Sequence, residues 1–408
     1  MFSLKIPPIL HNRSLVLLLA ARISTAIAFQ MLTVAVGWQI YSITQMPIYL
    51  GLVGLVQFLP MVLLTLVVGY LADRYDRKLI ISLSQIAESI GIFLLAYESY
   101  VGSITEEGIL ITIFFVSTAN AFQGPSMQSL LPNIVSREVF PKVAALSAST
   151  AQFAFIIGPA IGGILYALNP EVVYSVAGML TLATSVIILF VSIRKGSQNS
   201  EPVTRNSIFG GIAFIRSKPA ILGSISLDLF AVLFGGATAL LPVYASDILK
   251  IGPLGLGFLR SAPAVGALIM SAFLAKKPLK KNEGLKMFIA VIFFGIFTII
   301  FAVSTSFLIS LASLVLLGTS DVVSVVVRLT LIQLETPDNM RGRVNAVNSM
   351  FIGTSNQLGE FESGLTASLF GVVPAVLLGG IGSIVIAVLW MKWFPELLHA
   401  TELGKSTE

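Results

Sequence analysis

Long apolar segments separated by short polar stretches dominate the chain. A helix that spans a bilayer needs about 20 mainly apolar residues. Twelve segments meet this requirement: 15–41, 47–71, 79–100, 108–131, 142–168, 172–193, 219–246, 253–275, 286–304, 307–331, 343–369 and 373–394. Backbone polar groups in lipid must be hydrogen-bonded within the segment, so these segments are expected to be helices. The pattern therefore predicts an all-α polytopic membrane protein with twelve transmembrane helices.

The longest polar interval, residues 194–218, divides the twelve segments into six and six. It is rich in Gly, Ser, Asn and Pro, which is typical of a flexible connection. We therefore predict an N-terminal six-helix half over 1–193, a cytoplasmic linker over 194–218 and a C-terminal six-helix half over 219–408. A short interfacial helix is expected over 209–215.

The two predicted halves carry a related sequence. Residues 135–147, VSREVFPKVAALS, align with residues 336–348, TPDNMRGRVNAVN, and each stretch joins the fourth span of its half to the fifth. The second stretch begins 201 positions after the first. Internal repeats of this kind are typical of transporters, whose substrate site lies where the two halves meet near the bilayer midplane.

Composition and charge support a membrane location and narrow the function. Of the 408 residues, 56% are hydrophobic and 11% are charged, whereas soluble domains carry about 25% charged residues. The net charge of +5 does not indicate a nucleic-acid partner, because Lys and Arg concentrate in alternate loops. By the positive-inside rule this places both termini in the cytoplasm.

Few residues are available for catalysis or for metal binding. The chain has no Cys, and its two histidines, His11 and His399, lie near the ends. No Walker loop is present, which argues against ATP hydrolysis. We expect neither a cofactor nor a bound metal, and we do not expect an enzyme.

Residues 69–78, GYLADRYDRK, place five charges in six positions between the second and third spans. The pattern Gly-x-Leu-Ala-Asp-Arg-x-x-Arg-Lys resembles the signature of the major facilitator superfamily at this loop. Asp76 departs from it, since many members carry Gly there. An ordinary positive-inside loop is the simpler alternative. The resemblance implies a conformational latch built from Gly69, Asp73, Arg74 and Arg77, in which Asp73 pairs with a helix end, with Arg77 or with a helix of the second half.

Within that superfamily, the chain is similar to the exporter branch that includes siderophore exporters and macrolide efflux proteins. The stretches that carry this similarity are residues 21–24, ARIS, the loop at 71–78, and residues 333–345, QLETPDNMRGRVN. The resemblance implies a secondary active transporter of the inner (plasma) membrane. It implies small-molecule and proton partners, a lipid environment and a monomer.

Span 5 contains Gly158-Pro159-Ala160-Ile161-Gly162-Gly163, which resembles a signature of superfamily antiporters. Gly158 and Gly162 are four residues apart, so they form a small-residue face that permits close helix packing. Pro159 removes a backbone hydrogen bond and lets the helix bend. A purely structural packing motif and a role in coupling are both compatible with the pattern.

Ionisable residues inside spans are functional candidates by default. Arg22 in span 1 and Asp228 in span 7 lie at similar depth on pseudo-equivalent helices, so we expect both to face the central cavity. Asp321 and Arg328 in span 10 are seven residues apart and share a helical face. For Arg22 a structural ion pair is the alternative, and for Arg328 the alternative is snorkelling to the inner interface.

Span 11 carries Glu360 and Glu362, whose side chains point about 200° apart on one helix. At most one of them faces the cavity, and the other is expected to face a neighbouring helix. Two ionised carboxylates in a low-dielectric region are costly, so at least one should be protonated near neutral pH. We predict that Glu360 or Glu362 carries the coupling proton, with Asp228 as the other candidate. A pair of acids that only hydrogen-bond between helices is the alternative.

Several neutral amides, Gln30 in span 1 and Asn120, Gln123 and Gln128 in span 4, are candidates to line a polar path. Interhelical hydrogen bonding explains them equally well. Glu88 in span 3 is expected to have a structural partner.

The sequence therefore favours proton-coupled export of a small organic molecule. A lipid or divalent metal-ion transporter of the same fold is the nearest alternative, and a metal site would need the oxygens of Asp228, Glu360 and Glu362 to converge. A membrane receptor or scaffold is the alternative from another class.

Overall fold

The computed structural model describes residues 11–136, 138–193, 205–279 and 282–399. The described part is helical and contains no strand. Its α-helices are α1 (Arg13–Thr44), α2 (Pro47–Arg74), α3 (Arg77–Val101), α4 (Glu106–Ile134), α5 (Phe140–Leu168), α6 (Pro170–Leu189), α7 (Arg205–Ser217), α8 (Pro219–Phe234), α9 (Leu241–Val243), α10 (Gly252–Lys276), α11 (Glu283–Val303), α12 (Phe307–Glu335), α13 (Asp338–Phe370), α14 (Val372–Trp393) and α15 (Pro395–Leu398).

Each of the twelve predicted spans coincides with a helical segment, which confirms the all-α polytopic fold. Among the described residues, eleven segments are long and apolar enough to cross a bilayer. The remaining predicted span, 343–369, lies in α13, which has 33 residues and is long enough to span. Its asparagines, serines and glutamates lower its mean hydropathy, so its polar groups need partners on neighbouring helices.

Local sequence signals set the ends of these helices. The Asp76 carboxylate accepts a hydrogen bond from the backbone amide of Lys78 at 2.8 Å and caps the start of α3. Thr105 caps α4 in the same way through the amide of Gly108. At the end of α3, Gly102 has φ = 74°, a left-handed conformation that glycine adopts without a steric penalty. These caps satisfy backbone groups that a helix end leaves unpaired.

The described residues form two compact units. The first contains α1 as far as Gln39 and the chain from Leu59 through α6. In this unit α3 packs against α4 and α6. Tyr174 donates a hydrogen bond to the Gln39 side chain at 2.5 Å, and Gln39 donates to Ser99 at 3.1 Å. Three helices, α1, α3 and α6, are therefore joined by buried polar contacts as well as by apolar packing.

The second unit contains Ile40–Phe58 and the chain from α7 onward. Its apolar core surrounds Phe288 and Trp390, contributed by α11 and α14, and α12 packs against both α10 and α11. Residues 205–217 of the predicted linker form α7, which covers the expected helix at 209–215. α7 lies close to α13, because a Cβ at Gly211 would be 2.9 Å from the Arg343 carbonyl oxygen. The assignment of Ile40–Phe58 to this unit differs from the division predicted from the sequence.

Candidate functional site

A buried ion pair joins α8 to α12 in the second unit. The Arg328 guanidinium contacts the Asp228 carboxylate, and the two residues are 3% and 6% exposed. A charge buried this deeply is stable only when it is paired. The snorkelling alternative for Arg328 is therefore wrong, because its side chain is held inside the unit and does not reach an interface.

A second acid lies near this ion pair. Asp321 lies two turns before Arg328 on α12 and interacts electrostatically with both Asp228 and Arg328. The three residues, called here the acid–arginine cluster, hold two carboxyl groups and one guanidinium. With every group ionised the cluster has one surplus negative charge. Sequence spacing predicted that Asp321 and Arg328 share a face, and the structure adds Asp228 to that face from another helix.

A small pocket lies beside the acid–arginine cluster. Its polar wall is formed by Asp228, Asp321, Ser320 and Ser324, and its apolar wall by Ala231, Val232, Ala290, Val291 and Phe294 of α8 and α11. The Ser324 hydroxyl is buried and has no hydrogen-bond partner in the structure. Ser320 instead donates to the Leu316 carbonyl oxygen within its own helix. The pocket therefore joins an unsatisfied hydroxyl to two acids in an otherwise apolar region.

The predicted span 219–246 is interrupted at Gly235-Gly236. Beyond α8 the chain forms a 3₁₀ turn at Ala237–Leu240, the short helix α9 and a π turn at Tyr244–Ile248. The break lies against α13, because a Cβ at Gly236 would be 2.5 Å from the Ser363 hydroxyl and 2.7 Å from the Gly359 carbonyl oxygen. Interrupted helices in transporters form substrate and ion sites. The adjacent glycines were the sequence signal for this break, and the sequence analysis missed it.

Glu360 meets a basic residue from another helix. Arg260 of α10 is half-buried, and its guanidinium interacts electrostatically with the Glu360 carboxyl. The Glu360 side chain also lies against α2, since a Cβ at Gly54 would be 2.7 Å from the Glu360 Cβ and 3.1 Å from its Oε2. Arg260 was not among the predicted site residues, because nothing in the primary sequence links it to span 11.

Glu362 has a local partner instead. The Thr366 hydroxyl donates a hydrogen bond to Glu362 Oε1 at 2.7 Å, across one turn of α13. The two span-11 acids thus have different environments. Glu360 lies against α2 and interacts electrostatically with Arg260 of α10. Glu362 is hydrogen-bonded within its own helix.

The glycine motif of span 5 forms a helix contact in the first unit. A Cβ at Gly158 would lie 2.7 Å from the Gln30 Cβ, and one at Gly162 would lie 2.9 Å from the Met31 Cα. Because neither position has room for a side chain, α5 and α1 approach closely along this face. Pro159 and Gly163 are buried in the same helix. Gln30 is therefore in contact with α5.

The remaining candidates of the first unit are not brought together by any contact that the structure describes. Arg22 and Asn120 are half-buried on α1 and α4. Gln123 is buried, and its Oε1 has no hydrogen-bond partner in the structure. Gln128 is exposed.

The charged loop between α2 and α3 is described only in part. The surroundings of Gly69 and the Asp73 side chain lie outside the described part of the structure, so the expected Asp73 pairing stays a prediction. Arg74 and Arg77 each make a polar contact. Lys78 donates a hydrogen bond to the Leu189 carbonyl oxygen at 3.3 Å, which ties the start of α3 to the end of α6. Asp76, which departs from the family pattern, caps α3.

In the described part of the chain, no group of three or more His, Cys, Asp or Glu residues has the arrangement of a metal site. Asp228 is paired with Arg328, and Glu360 interacts with Arg260. The carboxyl groups that a metal-ion transporter would need therefore do not converge on one another.

Comparison with known proteins identifies the family. The sequence model of the Major Facilitator Superfamily matches residues 18–359. The chain belongs to the Major Facilitator Superfamily. As a superfamily member it is a multi-pass membrane transporter, as the helix pattern predicted.

Similar proteins agree with that assignment. The chain is 25% identical over 384 residues to the enterobactin exporter EntS of Escherichia coli (strain K12), and the alignment covers 93% of this chain and 91% of the relative. Its fold resembles a bacterial homologue of the human lysosomal transporter Spinster, with a TM-score of 0.75, 15% identity and coverage of 97% and 98% of the two chains. It also resembles a bacterial homologue of the iron transporter ferroportin, with a TM-score of 0.71, 17% identity and coverage of 95% and 99%.

Proposed function

We propose that this superfamily member is a proton-coupled exporter of a small organic molecule that works by alternating access across the inner (plasma) membrane. The observation that carries the proposal is the concentration of ionisable side chains inside spanning helices of the second unit. Asp228, Asp321 and Arg328 form one group, and Arg260 with Glu360 forms another. Charges within a bilayer are costly and mark ion or substrate pathways.

Proton entry supplies enough free energy for this work. Moving one charge through a membrane potential of 100 mV is worth about 2.3 kcal/mol, which supports more than a tenfold concentration gradient of substrate. An ionisable group that binds the proton in one conformation and releases it in another is required. The candidates predicted from the sequence for this role are Glu360, Glu362 and Asp228.

A siderophore or a drug-like molecule is the proposed substrate class. The support is the similarity to an enterobactin exporter along 93% of this chain. Arg22 is the proposed contact for an anionic substrate, because it is a cation within span 1. We also propose that the protein is a monomer with both termini in the cytoplasm and with helical halves at 1–193 and 219–408.

Transport into proteoliposomes with an imposed pH gradient tests this function, with enterobactin as the first probe and a cationic dye as the second. Substrate movement should depend on the gradient and should stop when a protonophore is added. Arg22→Ala should weaken transport of the anionic probe more than transport of the dye. Transport of neither probe, or transport that ignores the gradient, would contradict the proposal.

A further inference from the structure

The surplus charge of the acid–arginine cluster has a physical consequence. One guanidinium neutralises one carboxylate, so Asp228 and Asp321 can both be ionised beside Arg328 only if a net negative charge is buried. Asp228 makes the direct contact with Arg328. Asp321 is the acid left without a full counter-charge, and it lies on the wall of the pocket with Ser324. The Ser324 hydroxyl, buried and unpartnered, is available to a protonated acid.

We propose that Asp321 carries the coupling proton, with the Asp228–Arg328 pair beside it as the counter-charge that the conformational change rearranges. This inference rests on the proposed function and names the residue that performs its coupling step. When Arg328 remains with Asp228, Asp321 holds the proton. When the conformational change opens the cluster to the solvent on the other side, water stabilises the surplus negative charge, and Asp321 loses its proton while Arg328 moves to a position shared by the two carboxylates. Proton binding and the position of one arginine are thereby linked.

The charges that act on Asp321 in the described structure come from the acid–arginine cluster itself. The charged residue of α8 is Asp228. The two charged groups that interact electrostatically with Asp321 are Asp228 and Arg328. The other charged residues on the helices packed against α12 are Arg260 and Lys276 of α10, Glu283 and Lys286 of α11, and on α13 Asp338, Arg341, Arg343, Glu360 and Glu362. Lys276, Glu283, Lys286, Asp338, Arg341 and Arg343 lie in end turns or near the ends of their helices.

The same charge count argues against Glu360 as the proton site. Glu360 interacts with Arg260, one acid with one base. Glu362 accepts a hydrogen bond from Thr366. The cluster on α8 and α12, by contrast, holds two acids and one base.

Infrared difference spectra of the full chain in nanodiscs test the inference without any substrate. A protonated carboxyl has its own C=O stretching band, and spectra at mildly acidic and mildly alkaline pH show which acids titrate. Asp321→Asn should remove one titrating carboxyl. Asp228→Asn should also remove one, because Arg328 can then neutralise Asp321. Arg328→Gln should have the opposite effect and add a second protonated carboxyl.

Asp338→Asn is the matched control, since Asp338 is also paired with an arginine, Arg341, but its side chain is 88% exposed. It should leave the protonated-carboxyl band unchanged. If Asp321→Asn folds poorly, Ser324→Ala keeps every charge and should shift the band frequency by removing the hydroxyl beside Asp321. A number of titrating carboxyls that does not fall in Asp321→Asn, a band that is unmoved in Ser324→Ala, or a band that does not grow in Arg328→Gln would overturn the assignment.

Transport measurements separate this inference from the proposed function. With enterobactin as the probe, Asp321→Asn should lose gradient-driven accumulation and keep exchange between enterobactin inside and outside, because exchange moves no net proton. Wild-type protein that moves no enterobactin would count against the proposed substrate, and the infrared result would still decide the role of Asp321. Gradient-driven accumulation that persists in Asp321→Asn would overturn the inference alone.

Discussion

If Asp228 and Asp321 share Arg328, removing both acids should destabilise the protein far more than the two single changes predict. In either single Asp→Asn variant, Arg328 still has one carboxylate within its electrostatic reach. Since the remaining acid supplies the counter-charge, we expect each single change to cost only about 1 kcal/mol, the net contribution of an ordinary hydrogen bond. In Asp228→Asn/Asp321→Asn, the guanidinium is buried without a counter-charge. Breaking a buried pair in this way costs about 3–5 kcal/mol, and arginine cannot lose its proton to reduce that cost.

Replacing the arginine in the double variant should restore much of the lost stability. When Arg328→Met is added to the double variant, no charge remains in the cluster, and an apolar side chain of similar length fills the space. Such replacements of buried ion pairs are often neutral or stabilising. The triple variant should therefore be more stable than the double variant, although it carries one more substitution.

The free energy of unfolding in mixed micelles, measured by titration with a denaturing detergent and followed by tryptophan fluorescence, is a suitable assay. Trp390 lies in the apolar core of the same unit and should report its unfolding. Asp338→Asn is the control and should change stability by less than about 1 kcal/mol, as is usual for an exposed pair. Single effects that merely add, or a triple variant no more stable than the double, would refute the shared-arginine arrangement.

Three further changes test other parts of the molecule. Gly162→Leu should destabilise the first unit by about 1–3 kcal/mol, because a Cβ there would already lie 2.9 Å from the Met31 Cα; an unchanged melting temperature would argue against this contact. Glu360→Gln and Glu362→Gln, singly and together, should keep gradient-driven transport with the wild-type pH profile. If transport in these variants no longer depends on the gradient, a glutamate of span 11 carries the coupling proton. Asp73→Asn should abolish transport while membrane insertion, measured by surface labelling, stays normal; normal transport would remove its latch role.

The fold was predictable because its signals are local. Segment length and apolar composition predict the spanning helices, and the structure places helices at all twelve predicted positions. Local capping signals also agree with the structure, as at Asp76, where an acid beside the start of α3 becomes its N-cap. The sequence signal for the break in span 7, Gly235-Gly236, is also local. It was missed because adjacent glycines in an apolar run are compatible with an unbroken membrane helix.

The partners of the buried charges were not predictable, because they depend on which helices become neighbours. Spacing within α12 relates Asp321 to Arg328, but no spacing relates either of them to Asp228, which lies about 100 residues earlier on α8. The same holds for Arg260 and Glu360, which lie on α10 and α13. The sequence shows on which face of a helix a charged residue lies. It does not show which other helix packs against that face.

The internal repeat shows how differently the two halves use equivalent helices. The offset of 201 residues that aligns 135–147 with 336–348 also aligns the preceding helices, α4 and α12. It places Asn120 opposite Asp321 and Met127 opposite Arg328. Where the second half has an acid and a base, the first half has a neutral amide and an apolar side chain that is 5% exposed. A neutral amide at the Asp321 position can hydrogen-bond but cannot bind and release a proton, so by this comparison the charge chemistry of the repeated helix is confined to the second half.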